Sequence, residues 1–199
     1  MLIKKTVLGN YQENAYIIIN EETREAIIID PGDEGKPLVS YLKGLNVKLQ
    51  YILLTHGHLD HIGAVDDVRE AFNIPVYISE ADMKYIERRK VAFGQMKRAD
   101  FFLKEGDDLA FGNMPIQIFE TPGHSKGSLS YLIDGVLYVG DVLFQGSIGR
   151  TDLPGGEFNE LLSSIKDKLM KLPGNTRVMP GHGSETTLSQ EKSFNIYLR

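Results

Sequence analysis

Three apolar runs of this chain end in the same turn: "IIIDPG" (27–32), "IFETPG" (118–123) and "RVMPG" (177–181). Runs of this kind read as buried strands, and Pro-Gly is a strong turn signal that closes each of them. A strand is a rigid platform, and residues just past its end lie at the rim of a sheet. Two of the three turns lead straight into histidine, as "PGHS" (122–125) and "PGHG" (180–183). The fold must therefore deliver histidines repeatedly to sheet edges, where a site can be mounted on rigid supports.

The remaining patterns fill in the architecture. Strand-like runs "IKKTVLG", "NAYIIIN" and "EAIIIDPG" come first. "DEGKPLVSYLKGLN" then reads as a helix with Leu38, Leu42 and Leu45 on one face, ending at Gly44–Asn46. "KLQYILLT" is a buried strand, and "DHIGAVDDVREAFN" is a helix carrying Ile62, Val65, Val68 and Phe72. "IPVYIS" is a short strand. Ser79 is an N-cap for "EADMKYIERR", with Asp82 in the capping-box position. Residues 90–106 read as a loop with a short helix. Strands resume at 107–111, 115–120, 128–133 and 136–139. Residues 157–172 form an amphipathic helix, striped by Phe158, Leu161, Leu162, Ile165, Leu169 and Leu172. "TRVMPG" is a last strand and "SQEKSFNIYL" a closing helix. Strands, then helices, then strands and helices again lack the regular alternation of a doubly wound sheet. The expectation is one α/β domain, 1–199, of two face-to-face sheets with helices outside.

Composition excludes several functions. The chain has 199 residues and no cysteine, so disulfides, thiol nucleophiles and thiolate metal sites are ruled out. The net charge of −5, with signs interspersed, argues against nucleic acid, which selects a basic face. No run is apolar enough to span a bilayer, and the start "MLIKKTVLGNYQENAY" has no apolar segment of a secretory signal. A cytoplasmic location is expected.

The chemistry concentrates in "THGHLDHIG" (55–63), which holds three of the five histidines. In extended backbone, His56 and His58 point to the same side and can chelate one ion. Asp60 and His61 begin the next helix and must point elsewhere, toward a second ion. Zinc-like ions want about four imidazole or carboxylate ligands each. The rest must come from the same rim, and His124 and His182 are the remaining histidines. A carboxylate is also needed between two cations. Asp141, just after "GVLYVG", is the best candidate. Asp30 suits hydrogen bonding to a histidine N–H better, and Asp134 is explained by a hairpin turn. Tyr11 and Asn14 lie between the first two strands, where a rim loop could touch substrate, and read first as turn residues. Phe93–Met96 and Phe101–Phe102 fit either an acyl pocket or core under a loop.

"THGHLDHIG", "TPGHSKGSLSY", "YVGDVLF" and "PGHG" together resemble the metallo-β-lactamase superfamily over nearly the whole chain. The resemblance implies an αββα sandwich of two mixed sheets with a two-metal site at the sheet edges. By position, His56, His58, His124 and Asp141 would hold the first ion, and Asp60, His61, Asp141 and His182 the second. Zinc is the ion expected first, with iron or manganese also compatible with such donors.

"GDVLFQGSIGRTDLPGG" is similar to the glyoxalase II-like branch, in particular its short single-domain bacterial members. There a basic residue at the position of Arg150 contacts the thiol carrier. Only residues 183–199 follow His182, so the C-terminal helical domain of full-length glyoxalase II is expected to be missing, which leaves glutathione specificity open. The implied activity is hydrolysis of a small-molecule acyl thioester by a metal-activated water, because a thiolate leaves without much acid help. Asp60 is a ligand in this reading, with acceptance of the water's proton as its other role. Three alternatives stand beside it. Persulfide dioxygenase relatives share the cluster and a similar "GRTD" stretch but use one iron, with ligands at the positions of His56, His124 and Asp141. A lactone hydrolase could use the same site. A purely structural metal domain is disfavoured, since such sites are usually single, closed and often rich in cysteine.

Overall fold

The computed structural model describes residues 1–199. β1 (Leu2–Leu8), β2 (Glu13–Ile19) and β3 (Glu25–Ile29) form an antiparallel meander. α1 (Gly35–Gly44) then crosses to β4 (Lys48–Leu53), which lies parallel to β3. α2 (Leu59–Ile62), α3 (Val65–Phe72), β5 (Val76–Ile78), α4 (Glu80–Glu87) and β6 (Phe101–Phe102) continue the parallel half. The first sheet thus runs β1-β2-β3-β4-β5-β6.

The second sheet begins with β7 (Leu109–Phe111), β8 (Met114–Glu120), β9 (Leu129–Ile133) and β10 (Val136–Gly140), each antiparallel to the one before. A small hairpin, β11 (Leu143–Phe144) and β12 (Ser147–Ile148), leads to α5 (Phe158–Ser163). β13 (Arg177–Pro180) joins β10 in parallel, β14 (Thr186–Thr187) closes the edge, and α6 (Leu188–Phe194) follows. The second order is β14-β13-β10-β9-β8-β7. No helix is long and apolar enough to cross a membrane.

Side-chain alternation explains the layering. Along β2, Tyr16 and Ile18 join Tyr131, Ile133 and Tyr138 of the second sheet in a central core. Their neighbours Ala15, Ile17 and Ile19 join Leu38, Leu42, Val68 and Met83 of the first helical layer. Leu137, Val139 and Val178 pack on Leu161, Ile165 and Leu169 in the opposite outer layer. Both sheets are therefore covered on both faces, which is why β2 is apolar on both. The order of layers is α-β-β-α. Each outer layer depends on a few fully buried residues: Leu161→Ala would cost about 2–5 kcal/mol.

Three local expectations need correcting. No helix forms between 90 and 106; that segment is irregular apart from β6. The expected helix after the histidine cluster is broken at Gly63–Ala64. A Cβ on Gly63 would lie 2.3 Å from the Gly32 carbonyl, and the Ala64 N–H donates to the Pro31 carbonyl, so the turn after β3 fits into the break. The helix expected over 157–172 is α-helical only to Ser163. It widens to a π-turn over Ser164–Lys168 and tightens to a 3-10 turn over Leu169–Lys171. Residues four apart drift by about 40° in a regular α-helix. The widened turn keeps Leu161, Ile165 and Leu169 on the sheet.

Candidate metal centre

The rims of both sheets converge at one place. His56 and His58 follow β4, Asp60 and His61 open α2, His124 follows β8, Asp141 follows β10 and His182 follows β13. At the end of β10 the pairing with β13 slips between Tyr138 and Gly140, and Gly140 takes φ 50°. This bulge re-aims Asp141. Only glycine fits there, because a Cβ would lie 2.3 Å from Thr55 Oγ1.

The donors form two groups. One ligand atom each from His56, His58 and His124 lies within 4.8 Å of the others, and the same holds for Asp60, His61 and His182. His58 Nδ1 faces His124 Nε2 at 2.9 Å. His182 Nε2 lies 3.2 Å from Asp60 Oδ2. Asp141 stands between the groups: Oδ2 is 3.6 Å from His124 Nε2 and 3.5 Å from His182 Nε2, and Oδ1 is 3.3 Å from His61 Nε2.

The other ring nitrogens have fixed partners. His61 Nδ1 donates to Asp30 Oδ2 at 2.9 Å, His124 Nδ1 to the Arg150 carbonyl at 2.8 Å and His182 Nδ1 to the Tyr11 carbonyl at 3.0 Å. The Thr55 hydroxyl proton goes to Asp30, so Thr55 Oγ1 accepts from His56 Nδ1 at 3.0 Å. Four histidines are thereby left with Nε2 as the lone-pair nitrogen.

These residues fit divalent ions. His56 Nε2, His58 Nε2, His61 Nε2 and Asp141 Oδ1 are buried without a hydrogen-bond partner, an arrangement a folded protein rarely tolerates unless another group fills it. An all-imidazole and carboxylate donor set suits zinc, iron or manganese. Burial, reinforced by the neighbouring imidazoles, holds His56 well below its ordinary range and His58 down to about 3. Burial also lowers His124. Burial would raise Asp60 and Asp141, but the surrounding histidines outweigh it and hold both carboxyls low. These five are in the deprotonated form that ligation needs. Burial pulls His61 and His182 down, yet their carboxylate neighbours prevail and raise both, so an ion bound there displaces protons.

Arg150 takes a divided place. Its carbonyl orients His124, whereas its guanidinium is exposed and makes two 2.7 Å bonds to Asp152. The rings of Phe93 and His58 pack edge to face, 4.8 Å apart, and Met96 packs on the first helical layer. Phe101 is exposed and Phe102 half-buried. A cavity of about 740 Å³ lined by Ser79, Phe102, Lys104, Glu120 and Lys126 contains none of the seven donors.

Several residues around the centre were not legible beforehand. Asn14, read as a turn residue, is buried and donates 3.0 Å bonds to the Pro180 and Gly183 carbonyls, strapping the turn that carries His182. Glu13 is fully buried with both carboxyl oxygens unpartnered. Burial pushes it well above the carboxylate range, and Asp30, Asp141 and Asp60 add to this while His61 opposes it. A charged residue opening the buried strand β2 was the available signal. Asp82 does not complete a capping box. Its N–H donates to Ser79 Oγ, but its carboxylate turns toward the centre.

An αββα sandwich with two clusters of histidine and carboxylate donors on either side of one aspartate at the sheet edges is the architecture of the metallo-hydrolase superfamily. The sequence model of the metallo-beta-lactamase superfamily matches residues 8–182, and the chain belongs to that family. Among curated relatives, it is 40% identical to the probable metallo-hydrolase YqgX of Bacillus subtilis, over 98% of this chain and 96% of that one. It is 37% identical to hydroxyacylglutathione hydrolase GloC of Haemophilus influenzae, over 94% and 93%. Among solved structures, the BLEG-1 B3 metallo-beta-lactamase superposes with a TM-score of 0.92 at 42% identity, covering 99% of both chains. TTHA1623, solved in a di-iron-bound form, superposes at 0.88 with 37% identity, covering 98% of this chain and all of that one.

Proposed function

We propose that this protein is a metal-dependent thioester hydrolase of the hydroxyacylglutathione hydrolase type, acting on a small acyl thioester. Two divalent ions, one per donor group, would supply Lewis acidity and a hydrolytic water activated at neutral pH. Zinc or iron suits the donors, and the di-iron form of TTHA1623 is a reason to test iron.

The observation that carries the reading is how the accessible acids and bases are used. His56, His58, His61 and His124 are sealed off, and the donors with some accessible surface are Asp60 (18%), Asp141 (13%) and His182 (27%). Each of these three sits in the ligand set. Glu13 has no accessible surface and cannot meet a substrate. Among these donors and Glu13, the centre therefore offers no free acid to protonate a poor leaving group. A thiolate needs none, and GloC, similar over nearly its whole length, carries that activity in its name. The chain's own residues orient the donors through Asp30, Thr55, Tyr11 and the Arg150 carbonyl. Asp60 is the side chain placed to accept a proton if it exchanges its ligand role. The Arg150 guanidinium, released from Asp152, would meet a carboxylate on the thiol carrier.

A second reading, β-lactam hydrolysis, is favoured by the likeness to BLEG-1. It requires a proton for the departing amide nitrogen, which this arrangement supplies less readily. Metal-replete protein should be assayed with S-lactoylglutathione, a β-lactam, a lactone and, for oxygen uptake, glutathione persulfide. Thioester cleavage at the highest kcat/KM is expected. Oxygen uptake or β-lactam turnover without thioesterase activity would overturn the proposal.

A further inference from the structure

Asp82, in the first turn of α4, has a fully buried side chain and three hydrogen bonds into the loops that carry ligands. Its Oδ2 accepts from the Gly57 N–H at 2.9 Å and from the Ser125 hydroxyl at 2.7 Å, and its Oδ1 accepts from the Gly127 N–H at 2.7 Å. Gly57 lies between His56 and His58, and Ser125 follows His124. The first loop leaves β4 of one sheet, and the second leaves β8 of the other. One carboxylate thus joins the rims of two sheets directly behind the His58–His124 contact.

We infer that Asp82 is a positioning residue for the His56–His58–His124 half of the centre. It sets the distance between the loop after β4 and the loop after β8, whose parent rims are also joined by hydrogen bonds from the Leu129 N–H to the Thr55 carbonyl and from the Tyr131 hydroxyl to the Leu54 carbonyl. The chemistry of the contact demands a carboxylate. Two N–H groups and a hydroxyl converge on its two oxygens, and only a side chain that ends in two accepting oxygens receives both N–H groups. An asparagine would turn its NH2 toward one of those backbone N–H groups. A Cβ on Gly127 would lie 2.7 Å from Asp82 Oδ1 and 2.0 Å from Ser79 Oγ, so the loop is seated directly on the carboxylate. Asp82 has no bond to Asp60, His61 or His182. His61 is held by Asp30 and His182 by Tyr11, so the other half has its own supports. The inference rests on the metal-centre reading and is independent of the substrate.

The test is a cobalt(II) titration of chelated protein against a competing chelator, followed by visible absorption, with ion counts from native mass spectrometry. Asp82→Asn should weaken one of two binding steps by about 10–100-fold and leave the other unchanged. Ser125→Ala, which removes one of the three bonds, should weaken the same step by less. In a His182→Ala background the remaining step should still respond to Asp82→Asn, and in a His124→Ala background it should not. Leu169→Ala, buried in the far layer, should lower the melting temperature of the chelated protein without moving either step. Equal weakening of both steps, no weakening, or a loss matched by Leu169→Ala would overturn the inference. If Asp82→Asn fails to fold, Ser125→Ala decides it by the same criteria. Thioesterase activity does not enter, so failure here is distinguishable from failure of the proposed reaction.

Discussion

Asp30 Oδ2 accepts both the Nδ1–H of His61 and the hydroxyl of Thr55, and Thr55 in turn receives the Nδ1–H of His56. A single carboxylate therefore sets the tautomer of one histidine in each donor group, directly for His61 and through a hydroxyl for His56. Asp30→Ala should weaken ion binding at the Asp60–His61–His182 half by about 10–100-fold, with a smaller loss at the other half. Competitive titration with zinc and a chelator measures both. Equal affinity to the wild type at both steps would refute this relay.

Gly181 makes a second constraint visible. A Cβ at this position would lie 2.4 Å from Asp141 Oδ1 and 2.6 Å from His61 Cε1. Its φ is not in the left-handed region, so the objection to a side chain is space alone. Gly181→Ala should leave the fold intact and displace Asp141, which serves both donor groups. A displacement of about 1 Å is enough for a loss on the order of 100-fold in turnover. Ion counts below two, with an unchanged melting temperature after chelation, are expected.

These two relationships mark how far the sequence could be read. The αββα architecture was legible because Pro-Gly turns, two-sided apolar strands such as β2, and the Asp134–Gly135 hairpin are local signals. The gathering of the seven candidate donors at one rim was legible because His56, His58, His124, Asp141 and His182 follow strand runs or their turns, with Asp60 and His61 in the helix that the first loop opens, and a strand end has a defined place in space. Partners that act through backbone were not. Tyr11 and Arg150 orient histidines with their carbonyls, which any residue carries. Asp82 looked like a capping residue because its local pattern is that of a cap. Its carboxylate instead answers donors 25 and 43–45 positions away, and only tertiary packing brings those close. The π-turn after α5 arises from matching a fourfold apolar spacing to a sheet, which no window of sequence displays.

Acid should act on the chelated protein through the histidines of the first donor group. Burial and neighbouring His124 hold His58 down to about 3 from an ordinary 6.5. Between these values the unfolded chain takes up a proton that the folded chain refuses. Stability therefore falls as the pH drops through that window, by up to about 1.4 kcal/mol per pH unit for this one residue. His61 works in the opposite sense: its folded value is raised, so its contribution is full below the ordinary histidine range and fades as pH climbs through the raised value. Urea unfolding of chelated protein between pH 4 and 9 separates the two. His58→Gln should flatten the acid limb and His61→Gln the alkaline one; an unchanged acid limb in His58→Gln would contradict the assignment.

Arg150 separates substrate binding from ligand support within one residue. Its carbonyl fixes His124, so replacing the side chain leaves that bond in place. The guanidinium is 62% exposed and paired with Asp152, itself 68% exposed, and such a surface pair opens at little cost. If the free guanidinium meets a carboxylate on the thiol carrier, Arg150→Ala should raise KM for S-lactoylglutathione by about 10-fold with kcat nearly unchanged, the pattern of lost uniform binding. Asp152→Ala, which frees the cation, should lower KM. A thioester whose carrier has no carboxylate should respond to neither substitution, and ion content should stay at the wild-type level in both. Steady-state kinetics with the two thioesters distinguish this from a structural role, because an Arg150 that mattered through His124 would change kcat and ion affinity for both substrates alike.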